Sequence, residues 1–250
     1  MWQLLISFYF LFGVINYILR RVLAQKLGDH NRLINAIFFI FFLLPTTIIL
    51  SFVFPHNLNV GVLNLLFLFI GSIIWPIGAL VAFHANKKVD VGIFAVINNL
   101  SPVFTLIIAI PFLHENLKGM QWFGAGLLIF SGVLAASSQL KKHNRADSNG
   151  ILMCILTAAI FGVAIAYERF MLSRIDFGAY LIYGWGSQII WSVLLAGKEI
   201  KNVFKIFNKD TENRNTVVIA AYFYLKERKH MYYKWAAAVI GIAGLIYIAR

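Results

Sequence analysis

One uncharged apolar stretch of this chain carries a group of residues that could bind a solute. No Lys, Arg, Asp or Glu occurs from Val91 to Leu113, but the stretch contains Asn98, Asn99, Ser101, Pro102 and Thr105. On a helix these residues fall on one face, with Asn99 beside it. Pro102 has no amide hydrogen, so the carbonyl of Asn98 loses its helical donor. We expect this face to line a solute site within a membrane. The alternative is that these groups bond a neighbouring helix.

Three further residues stand in other apolar runs. Asn16 and Tyr17 lie late in the run Trp2–Leu19, and Trp75 precedes Pro76 in the run Val60–Phe83. Each is expected either to line the same solute path or to take part in packing, through an interhelical hydrogen bond or a kink.

Three acidic residues stand within or at the ends of apolar runs. Glu115 and Glu227 each end one predicted helix and precede the next, where a carboxylate stabilises the positive end of the following helix dipole. Glu168 lies deeper, within the run Ile151–Met171, and an acidic residue inside a membrane is a functional candidate by default. Each of the three is therefore interpreted as either a structural acid or a carrier of a coupling proton.

The composition defines the surroundings of these residues. Hydrophobic residues make up 60% of the chain and charged residues only 13%, whereas a soluble domain has about 25% charged residues. The mean hydropathy is +0.78. We therefore predict an all-α integral membrane protein whose main partner is the lipid bilayer. The net charge of +12 resides mainly in short loops and gives no basic fold that could bind nucleic acid.

Apolar runs of the length that a bilayer requires recur along the chain. A spanning helix needs about 20 residues. The run Thr216–Leu225 is half as long and is predicted to be a short helix packed against protein. Eight other runs are predicted to cross the membrane: Trp2–Leu19, Leu33–Phe54, Val60–Phe83, Val91–Leu113, Met120–Ser138, Ile151–Met171, Tyr180–Leu195 and Tyr232–Ile248.

The basic residues indicate which loops share a side of the membrane. Lys and Arg concentrate in the short cytoplasmic loops of membrane proteins. Four alternate loops, 20–32, 84–90, 139–150 and 196–215, contain fourteen Lys and Arg residues, and the opposite loops contain three. The N-terminus is therefore predicted to lie outside a bacterial or archaeal cell membrane.

Two internal echoes divide the chain into related halves. Residues 104–136 match residues 216–248 at an offset of 112, and 12–14 match 161–163 at an offset of 149. The change of offset means that the second copy lacks about 37 residues of the first. A complete copy would have five spans, and an odd number inverts the second copy relative to the first. The predicted units are a first repeat at 1–139, a connecting loop at 140–150 and an incomplete second repeat at 151–250.

The duplicated pattern resembles a known family. Asn98–Phe104, Leu113-His114-Glu115 and Gly124-Ala125-Gly126 are similar to the EamA-type half of the drug/metabolite transporter superfamily, and Leu225-Lys226-Glu227 is similar to the same motif. The resemblance implies two inverted five-helix repeats around a central cavity. It also implies secondary transport of small organic metabolites by alternating access. The small residues of both copies are interpreted as helix-packing positions: Gly124, Gly126, Gly132, Ala237, Gly241 and Gly244.

The incomplete second repeat leaves other functions open. We expect the isolated chain to transport weakly unless a partner, such as a second copy in a homodimer, covers the gap. A degenerate relative with a structural or partner-binding role and no transport is the alternative. An enzyme is not expected, because the sequence has no His-Glu-x-x-His, Gly-x-Ser-x-Gly or Gly-x-x-x-x-Gly-Lys motif and its single cysteine is Cys154. No cofactor and no metal are predicted.

Overall fold

Within the residues that the structure describes, every regular element is a helix. The structure is a computed structural model that describes residues 30–113, 119–140 and 146–202, together with Ile240. Two π-helical turns, Phe39–Leu43 and Leu181–Trp185, and a 3₁₀ turn, Gly197–Asn202, join or end α-helices. The α-helices are α1 Asn31–Phe38, α2 Leu44–Val53, α3 Val62–Gly71, α4 Ile74–Lys88, α5 Val91–Asn98, α6 Ser101–Leu113, α7 Gly119–Leu140, α8 Ala146–Leu172, α9 Phe177–Tyr180 and α10 Gly186–Ala196.

The predicted spans that fall in the described residues are confirmed as helices. Within the described ranges, five stretches are long and apolar enough to cross a membrane: Asn31–Val53, Val62–Lys88, Gly92–Phe112, Ser148–Leu172 and Phe177–Lys201. Helix α7 contains a shorter apolar stretch, Gly119–Leu134. The last of the five begins before the predicted Tyr180, because Asp176 caps α9 by accepting a hydrogen bond from the amide of Ala179. The predicted segments Trp2–Leu19, Thr216–Leu225 and Tyr232–Ile248 lie outside the described residues.

Two of these stretches are interrupted where a proline withholds an amide hydrogen. The helix breaks at Ser72–Ile73, four residues before Pro76, and at Asn99–Leu100, just before Pro102. A proline cannot bond the carbonyl four residues earlier, and its ring crowds that carbonyl. The carbonyl of Asn98 was predicted to be freed in this way, and it accepts a bond of 2.6 Å from the hydroxyl of Ser101.

Helix α8 packs closely against both α4 and α6. A Cβ atom added at Gly162 would lie 2.9 Å from the carbonyl oxygen of Ser101 and 3.0 Å from the amide nitrogen of Thr105, and would also meet Phe104. On the other contact, a Cβ at Gly78 would lie 2.7 Å from the ring of Phe161. Glycine at these crossings lets the backbones approach, which membrane helices use to gain packing energy.

The predicted packing glycines of α7 differ in their surroundings. A Cβ at Gly132 would lie 3.1 Å from Leu100, and Gly124 is buried. Gly126 is exposed and its Cβ would meet nothing within 4 Å, so it makes no close helix contact within the described residues. Ala237, Gly241 and Gly244 lie outside these residues.

The described parts of the four basic loops gather at one end of the bundle. His30 lies 3.7 Å from Glu199, and Asn31 lies 3.3 Å from His84. A Cβ at Gly150 would lie 3.0 Å from that of Lys88, which brings the described residues 146–150 to the same end. At the other end, the amide of Asn57 donates to Asp176 at 3.0 Å. This arrangement has the four loops on one side, as the positive-inside pattern predicts.

The first prediction concerns the crossing at Gly162. Gly162→Ala should lower the free energy of unfolding by about 1–3 kcal/mol, because the new methyl group overpacks a contact made partly by backbone atoms. Gly126→Ala, at an exposed position with open space, should be neutral or slightly stabilising, since Ala favours helix by about 1 kcal/mol. Thermal unfolding of both variants in detergent measures the difference. Equal stability of the two variants would show that the crossing is not tight.

The second prediction concerns membrane orientation. With Cys154 replaced, a cysteine at position 143 should resist an impermeant thiol reagent added outside intact cells, because loop 139–150 is expected to be cytoplasmic. A cysteine at position 57, in the loop at the opposite end, should react and serves as the control. Strong outside labelling at 143 with none at 57 would reverse the orientation.

Candidate solute-binding site

A buried carboxyl–hydroxyl pair lies between α8 and α9. The hydroxyl of Tyr180 donates a hydrogen bond of 2.6 Å to Oε1 of Glu168. Tyr180 is 3% exposed, whereas Glu168 is partly exposed. Glu168 lies in the last third of α8, within the membrane-spanning stretch Ser148–Leu172. Tyr180 therefore holds the orientation of a carboxyl group that an adjacent solute could reach.

Trp75 of α4 completes one side of this pair. Its side chain lies beside the carboxyl group of Glu168, and its buried indole nitrogen has no hydrogen bond of good geometry within the described residues. The indole also packs on the ring of Phe161, with centroids 5.1 Å apart and planes at 34°. Phe161 and Glu168 stand two turns apart on the same face of α8. Trp75 is at the midpoint of the stretch Val62–Lys88, the depth at which transporters bind their solutes.

Two buried amides lie next to these groups. Gln188 of α10 is beside the hydroxyl of Tyr180, is 4% exposed, and has an amide nitrogen without a partner in the described residues. Asn35 of α1 is fully buried and donates to the carbonyl of Pro76 at 3.1 Å. Its amide oxygen also lacks a partner among these residues. Unpaired polar atoms in an apolar interior are costly, so these amides are suited to bind a polar solute.

We call these five residues the polar cluster: Asn35, Trp75, Glu168, Tyr180 and Gln188. They come from α1, α4, α8, α9 and α10, and so bring together half of the ten described α-helices. The cluster offers a carboxylate acceptor, an aromatic face, and amide groups that can donate or accept. Such a set binds a small polar organic molecule by shape and hydrogen bonding.

Side chains from other helices bond backbone carbonyls at the break between α3 and α4, beside the polar cluster. The hydroxyl of Tyr167 donates to the carbonyl of Phe67, and the indole of Trp191 donates to that of Phe69 at 2.6 Å. The ring of Trp191 also packs on that of Phe69, with centroids 4.9 Å apart. Backbone groups at membrane depth must find partners within the protein, and these bonds meet that requirement. The break thus fixes the start of α4, which carries Trp75.

The predicted group in Val91–Leu113 faces α8 at a different point. Thr105 donates to the carbonyl of Ser101 at 3.0 Å and lies 3.2 Å from the carbonyl of Gly162. Ser101, Thr105 and Asn98 are buried, while Asn99 and Pro102 are half-buried. Bonding to a neighbouring helix, the alternative given for this group, therefore occurs at Thr105. That the group also lines a cavity stays a prediction.

The other predicted site residues fall outside the described residues. They are Asn16, Tyr17, Glu115 and Glu227. Of the predicted residues, the structure brings together Trp75 and Glu168. Sequence reasoning missed Asn35, Tyr180 and Gln188. Asn35 and Gln188 carried a usable signal, because each is a polar residue inside an uncharged apolar run.

Asp176 joins two loops at the end of the bundle opposite the basic loops. It accepts hydrogen bonds from the amides of Ala179 at 2.7 Å and Asn57 at 3.0 Å. These bonds to the ionised form hold the pKa of Asp176 below its ordinary value. Nearby, the hydroxyl of Tyr183 donates to the carbonyl of Leu58 at 3.1 Å. Loop 54–61 is thereby tied to the start of α9, one turn from Tyr180.

Comparison with known proteins identifies the class to which this helical membrane architecture belongs. Residues 1–137 match the EamA-like transporter family. Because that match covers more than half of the 250 residues, the chain belongs to the EamA-like transporter family, within the drug/metabolite transporter superfamily. It is an integral membrane protein, as its apolar helices also indicate.

Similar individual proteins are S-adenosylmethionine uptake transporters of Rickettsia. The protein of Rickettsia felis is 28% identical over 175 residues, which cover 66% of this chain and 55% of the relative. That of Rickettsia prowazekii is 28% identical over 163 residues, covering 62% of this chain and 51% of the relative. The chain thus matches about half the length of these relatives.

The third prediction concerns the pH dependence conferred by Asp176. Since its native pKa is depressed, the ionised group stabilises the fold at neutral pH. That contribution is full above the ordinary Asp pKa of about 3.9 and is lost as the pH falls through the native pKa. Asp176→Asn should therefore lower the melting temperature at pH 7, and the difference from the native chain should vanish in acid.

The control for this experiment is Ser173→Ala, in the same loop. The hydroxyl of Ser173 donates to the carbonyl of Phe170, in the last turn of α8, so its replacement should give no pH-dependent difference. Melting curves recorded in detergent across this pH range measure both variants. An Asp176→Asn effect that stays constant down to the lowest pH would contradict the assignment.

Proposed function

We propose that this chain is a secondary transporter of a small organic metabolite and that the polar cluster forms part of its solute path. The observation that carries the proposal is the Glu168–Tyr180 pair beside Trp75, within membrane-spanning stretches of a member of a transporter family. Acidic side chains inside a membrane mark solute and ion pathways. Asn98, Asn99, Ser101, Pro102 and Thr105 belong to the same path in this proposal, as do Asn16 and Tyr17.

The relatives suggest a class of solute. Their names describe uptake of S-adenosylmethionine, and we propose this compound or one of similar chemistry as the solute of this chain. The polar cluster has groups that suit it. The amides of Asn35 and Gln188 can bond amino-acid or purine groups, and the indole of Trp75 offers a face for stacking.

Alternating access between two inverted repeats is the proposed mechanism. One packing feature supports it: the stretch Asn31–Val53 lies antiparallel to Phe177–Lys201. His30 is 3.7 Å from Glu199 at one end, and the rings of Phe54 and Phe177 are 4.9 Å apart at the other. These are the second spans of the two predicted halves, and an inverted repeat places such equivalents antiparallel. With the basic loops in the cytoplasm, the N-terminus lies outside.

We propose that a second copy of the chain compensates for the incomplete second repeat. The shortfall of about 37 residues falls between Leu195 and Thr216. An open polar cleft facing lipid is unfavourable, since each unsatisfied backbone group there costs several kcal/mol, on the order of a hydrogen bond or more. A homodimer would cover that cleft and complete the wall of the solute path.

The fourth prediction tests transport and the second copy together. The purified full chain in liposomes should take up labelled S-adenosylmethionine saturably, and the initial rate per chain should rise with the protein-to-lipid ratio until dimers form. Empty liposomes, and liposomes with the chain in excess unlabelled solute, are the controls. A rate per chain independent of that ratio would show that one copy suffices.

Absence of uptake at every ratio, for this solute and for a panel of amino acids and nucleosides, would contradict the proposed transport. It would favour the alternative function, a degenerate relative with a structural or partner-binding role. A structural role would require only the folded bundle. Such a role should therefore be weakened in Gly162→Ala, whose helix packing is disturbed, relative to the native chain.

A further inference from the structure

Glu168 has no cationic partner among the described residues. The interactions there are the hydroxyl of Tyr180 on Oε1 and the neighbouring indole of Trp75. An ion pair joins His30 and Glu199, at the end with the basic loops and away from Glu168. A carboxylate in an apolar interior is unfavourable unless a positive charge accompanies it. The described residues therefore supply no counter-ion for the carboxylate of Glu168.

The groups around this carboxyl suit a cation that cannot donate hydrogen bonds. Trp75 and Phe161 form a tilted aromatic pair with centroids 5.1 Å apart, and both are partly exposed. Aromatic faces attract cations, and tryptophan does so most strongly. Sulfonium and quaternary ammonium groups carry their charge on carbon-bound atoms, so they bind by such faces and a nearby carboxylate. The two neighbouring amides bind polar groups but carry no charge.

We propose that Glu168, Trp75 and Phe161 form a subsite for the cationic group of the solute, a sulfonium or quaternary ammonium, with Glu168 as its counter-ion. This inference rests on the proposed function, because it assigns a charge to the solute of the same path. Tyr180 is a positioning residue: it holds one carboxylate oxygen and so fixes the direction of the other. The chain should then discriminate a cationic solute from a neutral one of nearly the same shape.

A matched pair of ligands tests this discrimination. S-adenosylmethionine carries a sulfonium, and S-adenosylhomocysteine is the thioether that lacks the sulfonium methyl group and its charge. Both keep the amino-acid ammonium and carboxylate, so S-adenosylhomocysteine has no net charge and the pair isolates the sulfonium. Equilibrium binding of each to the full chain in detergent should favour the cation by about tenfold or more, as for truncation of a desolvated charge pair. Glu168→Gln should remove that preference while leaving the binding of the neutral ligand within about twofold.

Two further measurements keep the test independent of misfolding. Glu199→Gln, which replaces an acid at the other end of the bundle, should keep the native preference. In the unaltered chain, a hydrophobic carbodiimide should label Glu168, as read by peptide mass spectrometry. S-adenosylmethionine should protect Glu168 from this label at concentrations where S-adenosylhomocysteine does not.

The outcomes separate this inference from the proposed function. Equal binding of both ligands, or a preference that survives in Glu168→Gln, overturns the cationic subsite while uptake in liposomes can still establish transport. Labelling of Glu168 that neither ligand affects, together with saturable uptake, assigns the carboxyl to another role such as carrying protons. If neither ligand binds and neither is taken up, both the subsite and the proposed solute are wrong.

Discussion

Hydrogen bonding of the backbone at membrane depth is the constraint on which this structure depends. Pro76 and Pro102 each remove a donor inside an apolar helix, and lipid offers no replacement. Side chains supply bonds near both breaks: Ser101 bonds the carbonyl of Asn98, which Pro102 frees, and Trp191 bonds the carbonyl of Phe69 at the break before Pro76. Because Trp191 belongs to another span, its bond to the backbone of α3 also fixes how α3 and α4 pack against α10.

Helix α8 has two faces with different roles. At Gly162 the helix has no side chain, so α6 approaches until Thr105 lies 3.2 Å from the glycine carbonyl. Along another face, Phe161 and Glu168 meet Trp75, which stands at the start of α4, just after the break. Tight packing on one face therefore holds the depth and rotation at which the other presents its carboxyl group. A change at Gly162 should therefore also shift Glu168 in the polar cluster, because both residues lie on α8.

The sequence predicted the helices well and the site only in part. Absence of charge over long runs defines membrane helices almost by itself, which explains why runs such as Leu33–Phe54 and Ile151–Met171 were confirmed. Trp75 and Glu168 were separate candidates, but nothing local indicates that they meet, since they are 93 positions apart. Tyr180 was missed because tyrosine is common near span ends, and its bond to Glu168 depends on the turn after α8. Asn98 and Thr105 were recognised as polar, yet which groups they bond depends on how α6 crosses α8.

The central claim is that a carboxyl group on α8, oriented by Tyr180 and flanked by Trp75, binds the charged part of a transported solute. The most direct test is a structure of the full chain with a sulfonium or quaternary ammonium solute bound. The cationic centre should lie within about 6 Å of the Trp75 ring centroid and in contact with the carboxylate of Glu168. A solute bound elsewhere, or with its cationic centre turned away from Glu168, would contradict the account.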